Sequence, residues 1–214
     1  MRTSLVAASL LSLGLAACAA PSRPPSVSPT SAAPPPSIAS TFEQCRDALA
    51  EAGVAFEVQR PTLTREGCGY GEGIKVNKSH IPLNQPAVMS CQLALAFLRF
   101  EEEVVQPAAL RHFRQSVTKT HHVGTFHCRR INGAAKWSQH AFANAIDIMG
   151  FDLSDGTRIA VARDWRARGP RSAFLHDIAR GACRIFRVTL TPNYDRAHAN
   201  HIHLDLGPDR VCGL

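Results

Sequence analysis

A short alternating segment near the C-terminus constrains the fold of this chain more than any other feature. From His201 to Leu206 the sequence reads H-I-H-L-D-L, so that polar and apolar residues alternate. Such alternation is typical of a half-buried strand, because successive side chains of a strand point to opposite faces. We therefore expect His201 and His203 to point into the same space, with Asp205 on the same face. Two neighbouring imidazoles on a rigid strand indicate a metal site.

A second segment, S-Q-H-A-F-A-N-A-I-D-I-M-G from Ser138 to Gly150, contains further metal-binding side chains. Residues 144–149 alternate like a strand, and Asp147 lies on the face opposite two isoleucines. His140 precedes this strand, so that a loop can bring it back to Asp147. Together with His203 they form a set of two imidazoles and one carboxylate. This set suits zinc, which takes four ligands and in catalytic sites leaves one position for water.

Each of these residues also has an ordinary structural interpretation when it is taken alone. Asp147 could cap a turn or pair with an arginine, and His140 could be a surface histidine. The combination and the spacing nevertheless favour a metal site.

The N-terminal residues have the pattern of a targeting segment. A positive start at Arg2 and an apolar stretch predict a secretory signal over residues 1–17, too short for a membrane span. The run L-A-A-C ending at Cys18 resembles a bacterial lipobox, which implies cleavage before Cys18 and a lipid on its thiol. An ordinary signal peptide that includes Cys18 is the alternative. Residues 18–40 are rich in proline, serine and alanine and predict an extended tether.

The predicted location follows from these features. We expect an exported lipoprotein at the periplasmic face that meets the membrane through its lipid anchor only. Alanine at position 19 indicates the outer membrane under the sorting rule of enteric bacteria. The net charge of +7 suits a protein that works beside polyanions such as the cell wall, and equally a soluble basic surface. We expect no nucleic-acid partner, since the chain lacks a basic and aromatic binding module.

Residues 41–214 remain for one domain of ordinary size, and this domain contains six of the seven cysteines. An even number of cysteines in an exported domain indicates disulfides, for which fifteen pairings exist. Free buried thiols are the alternative for some of them. Zinc ligation by these cysteines is not expected, because no C-x-x-C pair exists. The pairing that we expect is Cys45–Cys68, Cys91–Cys128 and Cys183–Cys212.

The domain shows helical and strand patterns in mixed order. Helices are predicted over residues 41–53, 93–113 and 172–186, and strands over residues 54–58, 145–152, 157–162, 187–190 and 201–206. Pro107 should kink or divide the second helix, Glu101 to Glu103 should form a solvated face, and Ser172 should cap the third helix. These patterns predict an α+β domain with a central antiparallel sheet flanked by helices.

The combined motifs resemble known families. The S-x-H…D segment followed by a distant H-x-H resembles the LAS superfamily of zinc peptidases, which cut peptidoglycan and include hedgehog-type folds. The wider text, C-R-R-I-N-G-A, W-S-Q-H-A-x-x-N-A-I-D-I-x-G-F, G-A-C-R-I-F and H-x-x-H-x-H-L-D, is more similar to bacterial extensin-like C-terminal domain proteins. This second resemblance covers nearly the whole domain. It implies a LAS or hedgehog-like fold whose sheet carries a zinc ion.

The resemblance also implies roles for individual residues. The zinc ligands would be His140, Asp147 and His203, and His201 would lie over the open position to handle a proton or steady an oxyanion. The carboxypeptidase branch has an acid three residues before the last ligand, where this chain has Asn200. The murein endopeptidase branch has histidines two and five residues before it. His201 and His198 occupy those positions here, and they are the expected catalytic residues.

Other residues receive secondary roles. Ser138 would brace the site, and Arg129 or Arg130 would bind a substrate carboxylate through the planar guanidinium. Asp205 would orient a ligand histidine. Ala143 stands where the family often has glycine, which puts the local loop geometry in question.

Some residues beside these motifs keep two interpretations. The cluster of His121, His122 and His127 either lines the cleft or consists of ordinary loop and strand histidines. Trp137 is expected to pack, while Tyr194 and Asp195 are expected to shape the cleft.

The predicted function is therefore a zinc-dependent murein endopeptidase that cleaves peptide cross-links in peptidoglycan. A non-catalytic wall-binding lipoprotein that retains a metal site is one alternative, and a DD-carboxypeptidase is another. A thiol enzyme is disfavoured, because exported cysteines in even number are normally paired. The need for a protein activator and the identity of the cleaved bond stay open.

Overall fold

The computed structural model describes residues 41–131 and 134–214. The predicted signal segment (1–17), the predicted lipidation site Cys18 and the predicted tether (18–40) lie outside the described residues. Within the described ranges, no helix combines the length and the apolar composition that a membrane crossing requires.

Helices lie between groups of strands along the described chain. The helices are α1 (Phe42–Glu51), α2 (Cys91–Phe100), α3 (Gln106–Phe113), α4 (Val161–Asp164) and α5 (Pro170–Ala182). The strands are β1 (Ala55–Gln59), β2 (Thr62–Leu63), β3 (Gly69–Tyr70), β4 (Gly73–Lys78), β5 (Pro82–Ser90), β6 (Val117–His122), β7 (Ala145–Leu153), β8 (Arg158–Ala160), β9 (Val188–Leu190), β10 (Ile202–Asp205) and β11 (Val211–Gly213). Short 3₁₀ turns cover Gln139–Phe142 and Arg196–His198, and a π-helical turn covers Glu101–Val105.

Nine strands form one sheet, in the order β1-β4-β5-β6-β7-β10-β9-β11, with β8 also paired to β7. Strands β2 and β3 form a separate hairpin. The α+β class is confirmed, but the expectation of an antiparallel sheet is wrong, because β5 and β6 pair in parallel, as do β9 and β11. The first parallel pair arises because the α2–α3 connection returns the chain in its original direction.

Strands β7 and β10 lie side by side near the middle of the sheet. Their antiparallel register places His203 opposite Asp147. The residues before and after Asp147 and His203 in the chain point into the core. These four residues are fully or almost fully buried: Ile146, Ile148, Ile202 and Leu204. The alternation in both segments therefore puts the apolar residues on one face and the metal-binding candidates on the other, as predicted.

The helical segment from Cys91 to Phe113 continues through a π-helical turn that separates α2 from α3. The turn ends just before α3, and Pro107, which has no N–H to donate, lies in the first turn of α3. The expected solvated face is only partly correct, because Glu102 and Glu103 are exposed whereas Glu101 is fully buried.

Glu101 anchors the turn between β4 and β5. Its Oε2 accepts hydrogen bonds from the Ser79 hydroxyl and from the backbone N–H groups of His80 (3.2 Å) and Ile81 (3.4 Å). Burial raises the pKa of the Glu101 carboxyl to about 8, although these hydrogen bonds partly oppose the shift. Glu101 thus lies in the core and holds the β4–β5 turn through hydrogen bonds.

All six cysteines of the domain form disulfides, as expected. The bonds are Cys45–Cys91, Cys68–Cys128 and Cys183–Cys212. The expected pairing is correct for the last bond and wrong for the other two. The first bond joins α1 to the start of α2, which packs against it, and the second joins the β2–β3 hairpin to the loop after β6.

Two smaller expectations also differ from the structure. Helix α5 begins after Gly169 with Pro170 in its first turn, so Ser172 is not the cap, and its hydroxyl donates instead to the Trp165 carbonyl. The expected strand 157–162 is shorter, because Val161 already begins α4.

Candidate metal centre

His140, Asp147 and His203 come together from three elements. His140 lies on the 3₁₀ turn after Ser138, whose hydroxyl accepts a hydrogen bond from the His140 N–H at 3.4 Å. That turn ends at Ala143 in the left-handed conformation, with φ of 52°. A glycine would take this conformation without strain, and Ala143 keeps the loop geometry at some cost in energy. Asp147 lies on β7, and His203 lies opposite it on β10.

Three polar atoms of these side chains converge on one point. Asp147 Oδ1 is 2.9 Å from His203 Nδ1 and 3.2 Å from His140 Nε2, and the two nitrogens are 3.2 Å apart. A tetrahedral zinc with ligand bonds of about 2.0 Å separates its ligand atoms by about 3.3 Å. The three atoms therefore have the spacing of three corners of a zinc tetrahedron.

The outward nitrogens of the two histidines fix the tautomer that each ring takes when it is neutral. His140 Nδ1 lies 3.2 Å from the Thr125 carbonyl oxygen, and His203 Nε2 lies 2.9 Å from Asp205 Oδ2. Both oxygens only accept, so each of these nitrogens carries the hydrogen in the neutral imidazole. The inward nitrogens then present lone pairs toward the Asp147 carboxylate. Three acceptors that face one another suit a bound cation.

Without a metal ion, the electrostatics of the centre favour a protonated His203 instead. Burial alone would raise the pKa of Asp147, but hydrogen bonds with His140 and His203 hold it well below its usual range. Burial would likewise lower the pKa of His203, yet hydrogen bonds with Asp147 and Asp205 raise it to about 9. The carboxylate is therefore ionised at neutral pH, and a metal ion competes with a proton for His203.

His201 and His198 lie beside this group. His201 Nε2 is 3.5 Å from Asp147 Oδ1, and its Nδ1 is 2.9 Å from the Asn200 side-chain oxygen. His198 Nδ1 is 2.6 Å from Asp195 Oδ1. The ring centre of His198 lies 5.1 Å from that of His201 and 5.7 Å from that of His203. The structure thus brings together the three histidines of the C-terminal run.

The histidines line one wall of a cleft of about 590 Å³, a volume within the range of ligand-binding sites. Arg129, Lys136 and Trp137 line the cleft from the segment that precedes the 3₁₀ turn. Ser138 lines it too, as do Tyr194 and Asp195, which were expected to shape it.

Arg130 has a different position from the one expected for a substrate-binding residue. Its guanidinium carbon lies 4.2 Å from the centre of the Trp137 ring, and the guanidinium also donates to the Ala135 carbonyl. Arg130 therefore supports the chain segment beside the cleft, while Arg129 lines the cleft itself.

The second histidine cluster does not line this cleft. His121 Nε2 is 2.8 Å from Asp152 Oδ2, and His122 is buried with its Nε2 3.0 Å from the Gln85 carbonyl oxygen. His127 is exposed, and its backbone N–H donates to the His140 carbonyl oxygen at 3.0 Å. The structure agrees with the interpretation that these three are ordinary strand and loop histidines.

Several contributors to the site have no signal in the sequence. The Thr125 carbonyl orients His140, but every residue has such a carbonyl group. Lys136 and Asp209 form an ion pair, and both line the cleft. They are far apart in the chain, so their pairing depends on the fold.

Comparison with known proteins gives one match. The family model described as "Extensin-like protein C-terminus" matches residues 43–213, which is nearly all of the described chain. No curated protein and no solved structure matches the chain.

Proposed function

The chain belongs to the extensin-like protein C-terminus family, and we propose that it is a zinc-dependent hydrolase that cleaves peptide bonds in peptidoglycan. The observation that supports the proposal is the convergence of His140 Nε2, Asp147 Oδ1 and His203 Nδ1 within 2.9–3.2 Å beside an open cleft. A relation to the LAS zinc peptidases is part of the proposal and rests on the S-x-H…D and H-x-H motifs.

The donor set favours zinc over the harder cations. Calcium and magnesium prefer oxygen ligands, whereas two imidazole nitrogens and one carboxylate suit zinc. His140, Asp147 and His203 would hold the zinc ion, and a catalytic site would keep its fourth ligand position for water. Bound zinc supplies a Lewis acid and lowers the pKa of a water molecule to about 7.

The chain's own residues would bind and position the substrate and move its protons. His201 keeps its Nε2 directed toward the metal centre when its Nδ1–H donates to Asn200. His198 donates its Nδ1–H to Asp195, which leaves its Nε2 free to exchange a proton. One histidine would accept a proton from the attacking water, and the other would donate a proton to the leaving amine.

An endopeptidase acting on cross-links is the specific activity that we propose. Asn200 stands where the carboxypeptidase branch keeps an acid, so the proton transfers fall to His198 and His201. Arg129 lines the cleft, and its planar guanidinium would bind the carboxylate of a peptide stem. We propose no nucleic acid as a partner, and a protein activator is an additional open possibility.

The proposed location is the periplasmic face of the outer membrane. The segment over residues 1–17 would direct export, and a lipid on Cys18 would anchor the chain. Residues 18–40 would then let the domain reach the wall away from the membrane.

One observation favours a second function. His201 Nε2 lies 3.5 Å from Asp147 Oδ1, close to the separation of two ligands on one zinc ion. If His201 took the fourth position, the site would be closed and structural. The protein would then be a wall-binding lipoprotein that retains a metal. A DD-carboxypeptidase is the alternative within the catalytic proposal.

Purified sacculi digested with the zinc-loaded mature chain test the proposal. Chromatography should show that cross-linked muropeptides decrease while their uncross-linked products appear. Release of D-alanine without loss of cross-links would favour the carboxypeptidase alternative. Stoichiometric zinc with sacculi that stay uncut would favour the wall-binding function.

A further inference from the structure

The β2–β3 hairpin is too small to be stable by itself. It pairs only Thr62 with Tyr70 and Leu63 with Gly69, and the Leu63 side chain is largely exposed. Two-stranded hairpins of this size need outside contacts to hold their shape. Its position therefore depends on the residues that it contacts elsewhere in the domain.

Two of those contacts reach the loop that follows β6. The Cys68–Cys128 disulfide joins the end of the hairpin turn to this loop. The Tyr70 ring packs edge-on against Phe126, with ring centres 5.2 Å apart. Phe126 and Cys128 are two residues apart, so the hairpin holds the loop at two neighbouring points.

The same loop also contacts the proposed ligand His140. The Thr125 carbonyl accepts from His140 Nδ1, and the His127 backbone N–H donates to the His140 carbonyl at 3.0 Å. Residues 125–128 therefore alternate in their contacts. Thr125 and His127 contact His140, whereas Phe126 and Cys128 contact the hairpin.

The loop extends this contact to a second proposed ligand. The Gly124 carbonyl accepts from the Asp147 backbone N–H at 3.3 Å, and the Val123 N–H donates to the Asp147 carbonyl at 3.1 Å. A displacement of the loop would thus alter the orientation of His140 and the backbone next to Asp147.

We infer that the β2–β3 hairpin, through the Cys68–Cys128 disulfide and the Tyr70–Phe126 contact, positions His140 for zinc. Cys68 and Cys128 are positioning residues that act through the Thr125 carbonyl. The inference rests on the proposed zinc site. It predicts that zinc affinity depends on this disulfide and not on every disulfide of the domain.

The Cys183–Cys212 bond is a matched control. It joins the end of α5 to β11, and each of the two bonds has one exposed cysteine, Cys128 and Cys212. The Cys68–Cys128 bond spans 60 residues of the sequence, and the Cys183–Cys212 bond spans 29. Because loop-closure entropy depends on the logarithm of loop length, removal of either bond should destabilise the fold by a similar amount.

Zinc affinity of the full mature chain, measured by competition with a chromophoric chelator, tests the inference. We expect Cys68→Ala/Cys128→Ser to bind zinc about 10–100-fold more weakly, the usual cost of losing a group that orients a ligand. We expect Cys183→Ala/Cys212→Ser to stay within about threefold of wild type, since β9 lies between its strand β11 and the ligand strand β10. Circular dichroism establishes that both double variants are folded at the assay temperature.

Phe126→Ala keeps all three disulfides and decides the question if Cys68→Ala/Cys128→Ser does not fold. It should weaken zinc binding by about three- to tenfold, because one of the two contacts remains. The inference would be overturned if Phe126→Ala bound zinc with wild-type affinity and Cys68→Ala/Cys128→Ser either did the same or failed to fold. An equal loss in the Cys183–Cys212 control would also overturn it.

The wild-type chain separates this inference from the proposed function. A wild-type chain that binds no zinc would overturn the zinc site and this inference together. A wild type that binds zinc and cuts sacculi, with unchanged affinity in the hairpin variants, would overturn the positioning inference alone.

Discussion

Two histidine clusters lie on strands on either side of β7. His203 on β10 pairs with Asp147, and His121 and His122 on β6 pair with Gly150 and Ile148. Each cluster has close histidines and an aspartate within hydrogen-bond distance. In the sequence both are groups of neighbouring histidines, but only the group of His203 was expected to bind a metal, while His121 and His122 were expected to line the cleft or to be ordinary histidines.

The clusters differ in where their imidazole nitrogens point. His121 Nε2 bonds Asp152, and its Nδ1 lies 3.2 Å from an Arg158 guanidinium nitrogen. His122 uses its Nε2 on a backbone carbonyl. Near His203, by contrast, two nitrogens and a carboxylate face one another. The number of histidines thus does not distinguish the two clusters, whereas the convergence of ligand atoms makes the group at His203 the candidate metal site.

Loss of a proposed ligand should have the largest effect. We expect His203→Ala to lose stoichiometric zinc and all zinc-dependent cleavage, because only two ligands remain. His121→Ala, from the other cluster, should keep both. Metal analysis after dialysis and digestion of sacculi provide the two measurements. Equal zinc loss in both variants would remove the distinction between the clusters.

Replacement of His201 should have the next largest effect. We expect His201→Ala to lower kcat/KM by about 10²–10⁴, the usual contribution of a general acid or base, while zinc stays bound. Steady-state kinetics and zinc titration on the same preparation separate the two effects. Zinc loss as severe as in His203→Ala would instead make His201 a fourth ligand and favour the wall-binding function.

The two aspartates that hold histidines provide a matched pair. Asp205 is 2.9 Å from His203 Nε2, and Asp152 is 2.8 Å from His121 Nε2. Asp205 accepts with both oxygens, from His203 Nε2 and from the Gly207 N–H, whereas asparagine has only one acceptor oxygen. We therefore expect Asp205→Asn to weaken zinc binding by about 10–100-fold. Asp152→Asn should change zinc affinity by less than about threefold. Equal effects in chelator competition would contradict the comparison.

The smallest effect concerns pH and the buried His122. Burial lowers its pKa, although the Gln85 carbonyl and the Asp147 charge partly oppose the shift. Below a pH of about 6.5 the unfolded chain takes up a proton that folded His122 does not, so stability falls as the pH falls.

The matched variant His122→Gln keeps a hydrogen-bond donor and does not titrate. Between pH 7 and 5.5, the metal-free wild type should lose more unfolding free energy than His122→Gln. Urea unfolding at both pH values measures the difference. Identical losses in the two chains would show that His122 titrates normally in the fold.

The site was more predictable from the sequence than the rest of the fold. Strands β7 and β10 have one buried and one polar face, and this periodicity determines which side chains share a face. The positions of Asp147, His201 and His203 therefore followed from local patterns. The start of the predicted helix over residues 41–53 is likewise a local feature, because the Thr41 side chain caps α1 by accepting from the Gln44 N–H.

Features that depend on distant contacts were not predictable. Disulfide partners are chosen by packing, so the bonds of Cys45 and Cys68 had no local signal. Strand β5 was missed because exposed polar residues and Pro86 interrupt its apolar pattern. Glu101 looked solvated because it begins a run of three acids, yet the fold turns it toward the β4–β5 turn.

Zinc binding to the wild-type chain, followed by X-ray absorption at the zinc edge, is the decisive measurement for the proposed open zinc site. We expect one zinc per chain with four nitrogen and oxygen ligands at about 2.0 Å, two of them imidazoles and one a water. Absence of stoichiometric zinc would contradict the claim of a zinc site. A zinc ion with three imidazoles, one carboxylate and no water would contradict the claim of an open catalytic position.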